Sequence, residues 1–104
     1  AFGTKAIRYS GDKEKTVSRV ALCGGSGAFL TGDAIAAGAD IYITGDLKYH
    51  DFTTFAGQIA LADIGHYESE QCAKEIFGGI LRERFPQLPV VMAETDINPI
   101  NYHI

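Results

Sequence analysis

An α/β fold on a mostly parallel sheet is the architecture this sequence predicts, and three observations predict it. Short runs rich in aliphatic, β-branched or aromatic residues recur at Arg19–Cys23, Asp40–Thr44 and Gln58–Ile64. Each run is followed by glycine, which ends a strand and opens a loop. Between the runs lie segments of helical character, and strands that alternate with helices call for right-handed βαβ crossovers and parallel pairing.

The elements follow in order. Lys5–Tyr9 predicts a short strand, and SGDKEKT after it a polar turn. Arg19–Cys23 is a brief apolar strand bounded by GGSG, and Ala28–Ala37 carries the Ala, Ile and Leu content of a helix. Gly38 stands where a left-handed helix C-cap belongs, and Asp40–Thr44 is the next strand. After Gly45, Asp46–Phe55 has one or two turns of helical character, and Gln58–Ile64 is a third buried strand ended by Gly65. From Tyr67 to Phe85, Cys72, Ile76, Ile80 and Leu81 recur at spacings of four or five, predicting the longest amphipathic helix. Pro86 and Pro89 stop it, Pro89–Ala93 predicts a last strand, and Asn98-Pro99 speaks against regular structure in the tail.

The length of 104 residues suits a single α/β domain over 1–104, with one core. Hydrophobic residues at 46% and charged residues at 21% match a folded globular chain, excluding disorder and fibrous classes. The net charge of -4, from 13 acidic and 9 basic residues without a Lys/Arg run, disfavours nucleic-acid binding. Cys23 and Cys72 lack a CxxC spacing and predict free thiols in a reducing cytosol. No apolar stretch reaches membrane-spanning length and no leader pattern is present, so a cytoplasmic protein without a membrane partner is expected. The chain opens at Ala1 almost directly into a strand-like run, which predicts a piece of something longer.

Ligands of an open parallel sheet gather at the carboxyl ends of its strands, and that filter selects GGSG, TGDLKYH and DIGHYESE. In the third, His66 and Glu70 are four apart at the start of a helix and share one face. An imidazole with a carboxylate suits zinc, manganese, iron or nickel without choosing among them. The competing reading is a solvated first turn, with Glu70 favoured by the helix dipole. Asp46 and His50 repeat the spacing at the neighbouring strand end, and Asp63 precedes His66 by three. These are further ligands, groups orienting His66, or a general acid and base; alternatively Asp46 caps a helix and His50 packs on it.

GGSG lacks the residues of a phosphate-binding loop, and its glycines serve a tight turn or, as a minority reading, an anion site. Ser26 is one residue out of register with a nucleophile elbow, leaving a serine esterase built on Ser26 with His66 or His50 as a minor alternative.

The string VALCGGSGAFLTGDAIAAGADIYITGDLKYHDF, followed by LADIGHYESE and preceded by IRYSGD, resembles the C-terminal portion of the Nif-three-like family, whose members carry the name GTP cyclohydrolase 1 type 2 homologue. The resemblance implies the C-terminal lobe of a two-lobed protein with two divalent metal ions between the lobes. His66 and Glu70 match the metal pair of this lobe, and Asp46 and His50 match polar positions facing the cleft; in a metal-dependent hydrolase His50 or Asp46 is the candidate proton carrier. It also implies a soluble, cytoplasmic protein assembling as a ring-shaped homo-hexamer, and a small-molecule, nucleotide-like substrate. The N-terminal lobe of the family carries a His-His-Pro motif and a further metal-binding Asp; this chain has neither, and His103 matches no family ligand. Two functions follow as expectations: a metal-dependent hydrolase completed by the N-terminal lobe, or a non-catalytic metal-binding or protein-interaction module.

Overall fold

The structure is a computed structural model describing residues 1–104. Its strands are β1 (Arg8–Ser10), β2 (Val20–Ser26), β3 (Ile41–Gly45) and β4 (Ala60–Asp63). Its helices are α1 (Thr31–Ala36), α2 (Tyr49–Thr54), α3 (His66–Glu70) and α4 (Ala73–Arg84), with a 3-10 turn at Ala28–Leu30 before α1. The sheet order is β1-β4-β3-β2; β2, β3 and β4 are parallel, and β1 closes the β4 edge antiparallel. The predicted α/β class and mostly parallel sheet are therefore present.

Strand periodicity decides where the core lies. Ala21, Tyr42 and Leu61 are partners across the sheet and point to the face that the first two helices cover. There Tyr42 and Leu61 pack with Ala34, Leu47 and Ile59, and burying a side chain such as Leu61 contributes about 1.5–3 kcal/mol. The Tyr42 hydroxyl donates to the Gly27 carbonyl at 2.6 Å, tying the loop after β2 to β3. Gly38 ends α1 as expected, at φ 77°: its N–H donates to the Ile35 carbonyl and that of Ala39 to the Ala34 carbonyl.

Four expectations are corrected. The first strand begins at Arg8 rather than Lys5, and its guanidinium pairs with Asp63 directly across β4. Gly24, Gly25 and Ser26 do not form a loop but extend β2, with a register irregularity between Leu22 and Ser26. The single helix over Tyr67–Phe85 is two helices: the Gln71 N–H still donates to the Tyr67 carbonyl, and Gln71 and Cys72 form a turn with right-handed backbone angles before α4 resumes, Ile76 donating to the Cys72 carbonyl. Pro89–Ala93 forms no strand; Pro89 has no N–H for a ladder, and the segment runs beside α4, with Val90 accepting from Arg82 and Met92 meeting Gly78.

The other sheet face and α4 have little cover. Val20 and Leu22 are each more than half exposed, as are Ile76 and Phe77 on α4. The accessible surface of 7617 Å² exceeds the ~5,700 Å² that surface scaling gives for a compact chain of 11.2 kDa. The radius of gyration of 16.3 Å likewise exceeds the ~13 Å of a compact chain this long. Parallel sheets are ordinarily covered on both faces, so the uncovered apolar surface is a property of this portion of the fold.

Candidate functional site

The carboxyl ends of β2, β3 and β4 converge, and the chain after each contributes to one polar cluster. The β2 irregularity sets Ser26 beside Gly45. Gly25, at φ 73°, has its N–H held by Ser69 Oγ at 2.8 Å and its carbonyl by Thr44 Oγ1 at 3.1 Å. A Cβ there would collide with the Glu70 carboxylate and stand 3.2 Å from His66 Nε2, so glycine is what lets α3 seat its side chains against β2. At Gly45 a Cβ would lie 2.9 Å from the His66 backbone, giving the same close approach at the end of β3.

His66 sits at the centre. Its Nδ1 meets Asp46 Oδ2 at 2.5 Å, and its Nε2 meets Glu70 Oε2 at 2.9 Å. Ser26 donates its hydroxyl to the same Asp46 Oδ2 at 2.5 Å and lies 3.3 Å from His66 Nδ1. The Ser26 hydroxyl, and next His66, lower the Asp46 pKa below the usual carboxylate value. Asp46 in turn raises the His66 pKa, with the Glu70 charge adding to the effect and desolvation opposing it. His66 separates two clefts: one of about 360 Å³ shared with Glu70, Tyr67 and Lys74, and one of about 300 Å³ shared with Arg8, Asp46 and Tyr102.

Asp63 organises the loops behind this cluster. Its Oδ2 accepts from the Leu47 N–H at 2.9 Å and from Arg8 Nη2 at 2.5 Å, and its Oδ1 accepts from the Gly65 N–H at 2.9 Å. One buried carboxylate thus fixes the residue after Asp46 and the residue before His66. Buried Glu68 ties the tail down, accepting from Asn98 Nδ2 at 2.8 Å and the Tyr102 hydroxyl at 3.1 Å.

Of the residues the sequence singled out, the structure brings together His66, Glu70 and Asp46. His50 lies exposed on the first turn of α2, its ring edge-on to Tyr49 with centroids 5.5 Å apart, and hydrogen-bonds to none of the three. Asp46 does not cap a helix: Lys48 occupies that position, and Asp51 accepts its N–H at 2.8 Å. The esterase arrangement is not formed, because Ser26 and Asp46 meet the same ring nitrogen, whereas a nucleophile and an orienting carboxylate must use opposite ones. Sequence reasoning missed the actual place of Ser26 beside Asp46. The only signal for it was that GGSG and TGD follow two strands expected to be neighbours.

The donor chemistry fits a divalent ion in part. His66 Nε2 and Glu70 Oε2 are 2.9 Å apart, against roughly 3.3 Å between two ligand atoms on one tetrahedral ion, so a small opening of the pair would admit one. The chain gathers no group of three or more His, Cys, Asp or Glu side chains able to hold a metal. The fit is that of a half-site.

The structure is similar to the crystal structure of Staphylococcus aureus hypothetical protein SA1388, with TM-score 0.89 and 29% identity over 98% of this chain and 35% of that one. It also shares its fold with a Bacillus cereus protein related to NIF3, at TM-score 0.78 and 23% identity, covering 98% of this chain and 29% of that one. Among curated relatives, proteins named GTP cyclohydrolase 1 type 2 homolog match from Staphylococcus epidermidis and Mycobacterium tuberculosis. The first is 33% identical over 93% of this chain and 28% of its own length, the second 38% over 91% and 26%. The chain therefore spans about 28% of the length of the first of these relatives. No helix is long and apolar enough to cross a membrane. The model of the Duf34/NIF3 (NGG1p interacting factor 3) family matches residues 1–99, nearly the whole chain and every residue of the strand-end cluster, and the chain belongs to that family.

Proposed function

We propose that this chain supplies one half of a divalent-metal site, with His66 and Glu70 as ligands, and that the completed site hydrolyses a small, nucleotide-like substrate. The observation that carries the reading is the approach of His66 Nε2 to Glu70 Oε2 at 2.9 Å, at the strand ends where ligands of such sheets collect. The name GTP cyclohydrolase 1 type 2 homolog, borne by the relatives, supports a hydrolytic role and a nucleotide-like substrate. Because only two donors converge here, the remaining ligands come from other polypeptide, either further sequence of a longer protein or neighbouring copies in a ring. The surface of 7617 Å², well above that of a compact chain, supports such cover.

When bound, a pair of divalent ions (zinc, manganese, iron or nickel) supplies Lewis acidity that lowers the pKa of water and polarises the bond to be broken. The chain's own part is to bind through His66 Nε2 and a Glu70 oxygen, and to hold the imidazole in place. His50, whose ring has no partner in the cluster, is the candidate proton carrier from α2.

The test is metal analysis of the protein in its longest natural form beside His66→Ala and Glu70→Ala, joined to hydrolysis assays on purine nucleotides and phosphoesters with zinc or manganese. Metal content should fall in both variants together with turnover. Unchanged metal content in His66→Ala would remove the basis of the reading. Loss of metal with no reaction in any form would leave the non-catalytic metal-binding module in its place.

A further inference from the structure

We infer that Ser26 and Asp46 form a positioning relay for His66, in which Ser26 fixes the Asp46 carboxylate and Asp46 accepts a hydrogen bond from Nδ1–H, keeping the proton on Nδ1 and leaving Nε2 as the ligand nitrogen. The inference rests on the metal reading above and assigns roles to two residues beyond the ligand pair. Both are positioning residues; neither is a ligand in the arrangement.

Three observations carry it. First, the Ser26 hydroxyl and His66 Nδ1 converge on one oxygen, Asp46 Oδ2, each at 2.5 Å, so the carboxylate is gripped from the strand side and aimed at the ring. Metal-binding imidazoles are commonly held by a carboxylate on their second nitrogen, which fixes both tautomer and ring plane. Second, Asp46 is the one non-glycine residue with positive φ, at 56°. Its neighbours on both sides are held: a Cβ on Gly45 would meet the His66 backbone, and the buried Leu47 has its N–H bound by Asp63. Glycine would adopt it without a side-chain penalty, yet aspartate stands there, and strained positions of this kind gather at functional sites. Third, the irregularity in β2 pairs Ser26 with Gly45, which delivers the hydroxyl beside Asp46. Asp46 is about half exposed, so its hydrogen bonds add little to stability, and a purely structural role accounts poorly for keeping a strained aspartate there.

The test has two readouts on the protein in its longest natural form. Long-range nitrogen-15 NMR of the metal-free protein, with the pH raised until the His66 ring is neutral, reports which ring nitrogen carries the proton. The expected result is Nδ1–H in the wild type and a shift toward Nε2–H in Asp46→Gly, a variant compatible with the positive φ. Zinc titration should show Asp46→Gly about 10–100-fold weaker, Ser26→Ala weakened by less, and Asp46→Asn between wild type and Asp46→Gly. A wild-type Nε2–H tautomer, an Nδ1–H signal surviving in Asp46→Gly, or wild-type zinc affinity in that variant would each overturn the relay. Zinc affinity that survives His66→Ala overturns the metal reading instead, and the metal-free tautomer separates the two failures.

Discussion

Replacing Gly25 by alanine isolates the contact on which the ligand pair depends. Two effects are expected. The first is backbone strain: at φ 73° an L side chain costs roughly 1–2 kcal/mol. For a chain of this size each kcal/mol corresponds to a fall in Tm of roughly 4–8 °C. The second is steric. The new Cβ would occupy the place of the Glu70 carboxylate, and because that carboxylate is the half-exposed end of a flexible side chain it swings away at small cost to stability. Departure of Glu70 from His66 nevertheless removes one of the two donors, and zinc affinity should drop by at least about tenfold. Gly57→Ala supplies the control, since Gly57 has φ 81° and open space where a Cβ would stand. Denaturation and zinc titration of both variants separate the effects: the two should lose similar stability, and only Gly25→Ala should lose metal. Wild-type zinc affinity in Gly25→Ala would refute the role given to this glycine and to the Glu70 position it permits.

Asp63→Ala should destabilise by about 2–4 kcal/mol, because it strands the Leu47 and Gly65 N–H groups, while the mostly exposed Arg8 keeps its bond to the Leu47 carbonyl; a denaturant midpoint showing less than about 1 kcal/mol would sink that account. Gly79→Ala, in α4 with open space for a Cβ, should stabilise by about 0.5–1 kcal/mol, measured as a raised Tm. Asp40 accepts the N–H groups of Arg19 and Ser18, and those bonds, Arg19 first, lower its pKa below 3.8. A depressed carboxylate pKa gives stability that is present above the unfolded value and lost as pH falls through the folded one. Asp40→Asn should therefore lose part of the drop in Tm below 3.8 and, if its acid profile matches wild type, these bonds carry no linkage.

The strand–helix alternation was readable because period and glycine punctuation act locally, and Gly38 and Gly45 mark the ends of α1 and β3 as expected. The His66–Glu70 pair was readable for the same reason: one helical turn fixes their spacing whatever surrounds them. Ser26 was not, because its approach to Asp46 depends on the register of β2 against β3 after an irregularity, a tertiary property with no local signature. Asp46 was readable as a polar strand-end residue but not as the one with φ 56°, since that angle follows from how Gly45 and Leu47 are held. The apolar spacing of Ile76, Ile80 and Leu81 does mark a helix, yet all three are exposed, because their burial depends on surface this chain does not provide. Pro89–Ala93 misled for a related reason: a run of strand-forming composition makes a strand only beside an edge with which it can pair.

The three-way grip of Asp63 has a dynamic consequence. Leu47 and Gly65 belong to loops 18 positions apart in sequence, yet their amide protons are sheltered by the two oxygens of one side chain. Any fluctuation that frees that carboxylate exposes both amides together, so the segments bearing Asp46 and His66 should open as one cooperative unit. In hydrogen–deuterium exchange the Leu47 and Gly65 amides would then share a single protection factor, and Asp63→Ala, which removes both acceptors, would lower both together.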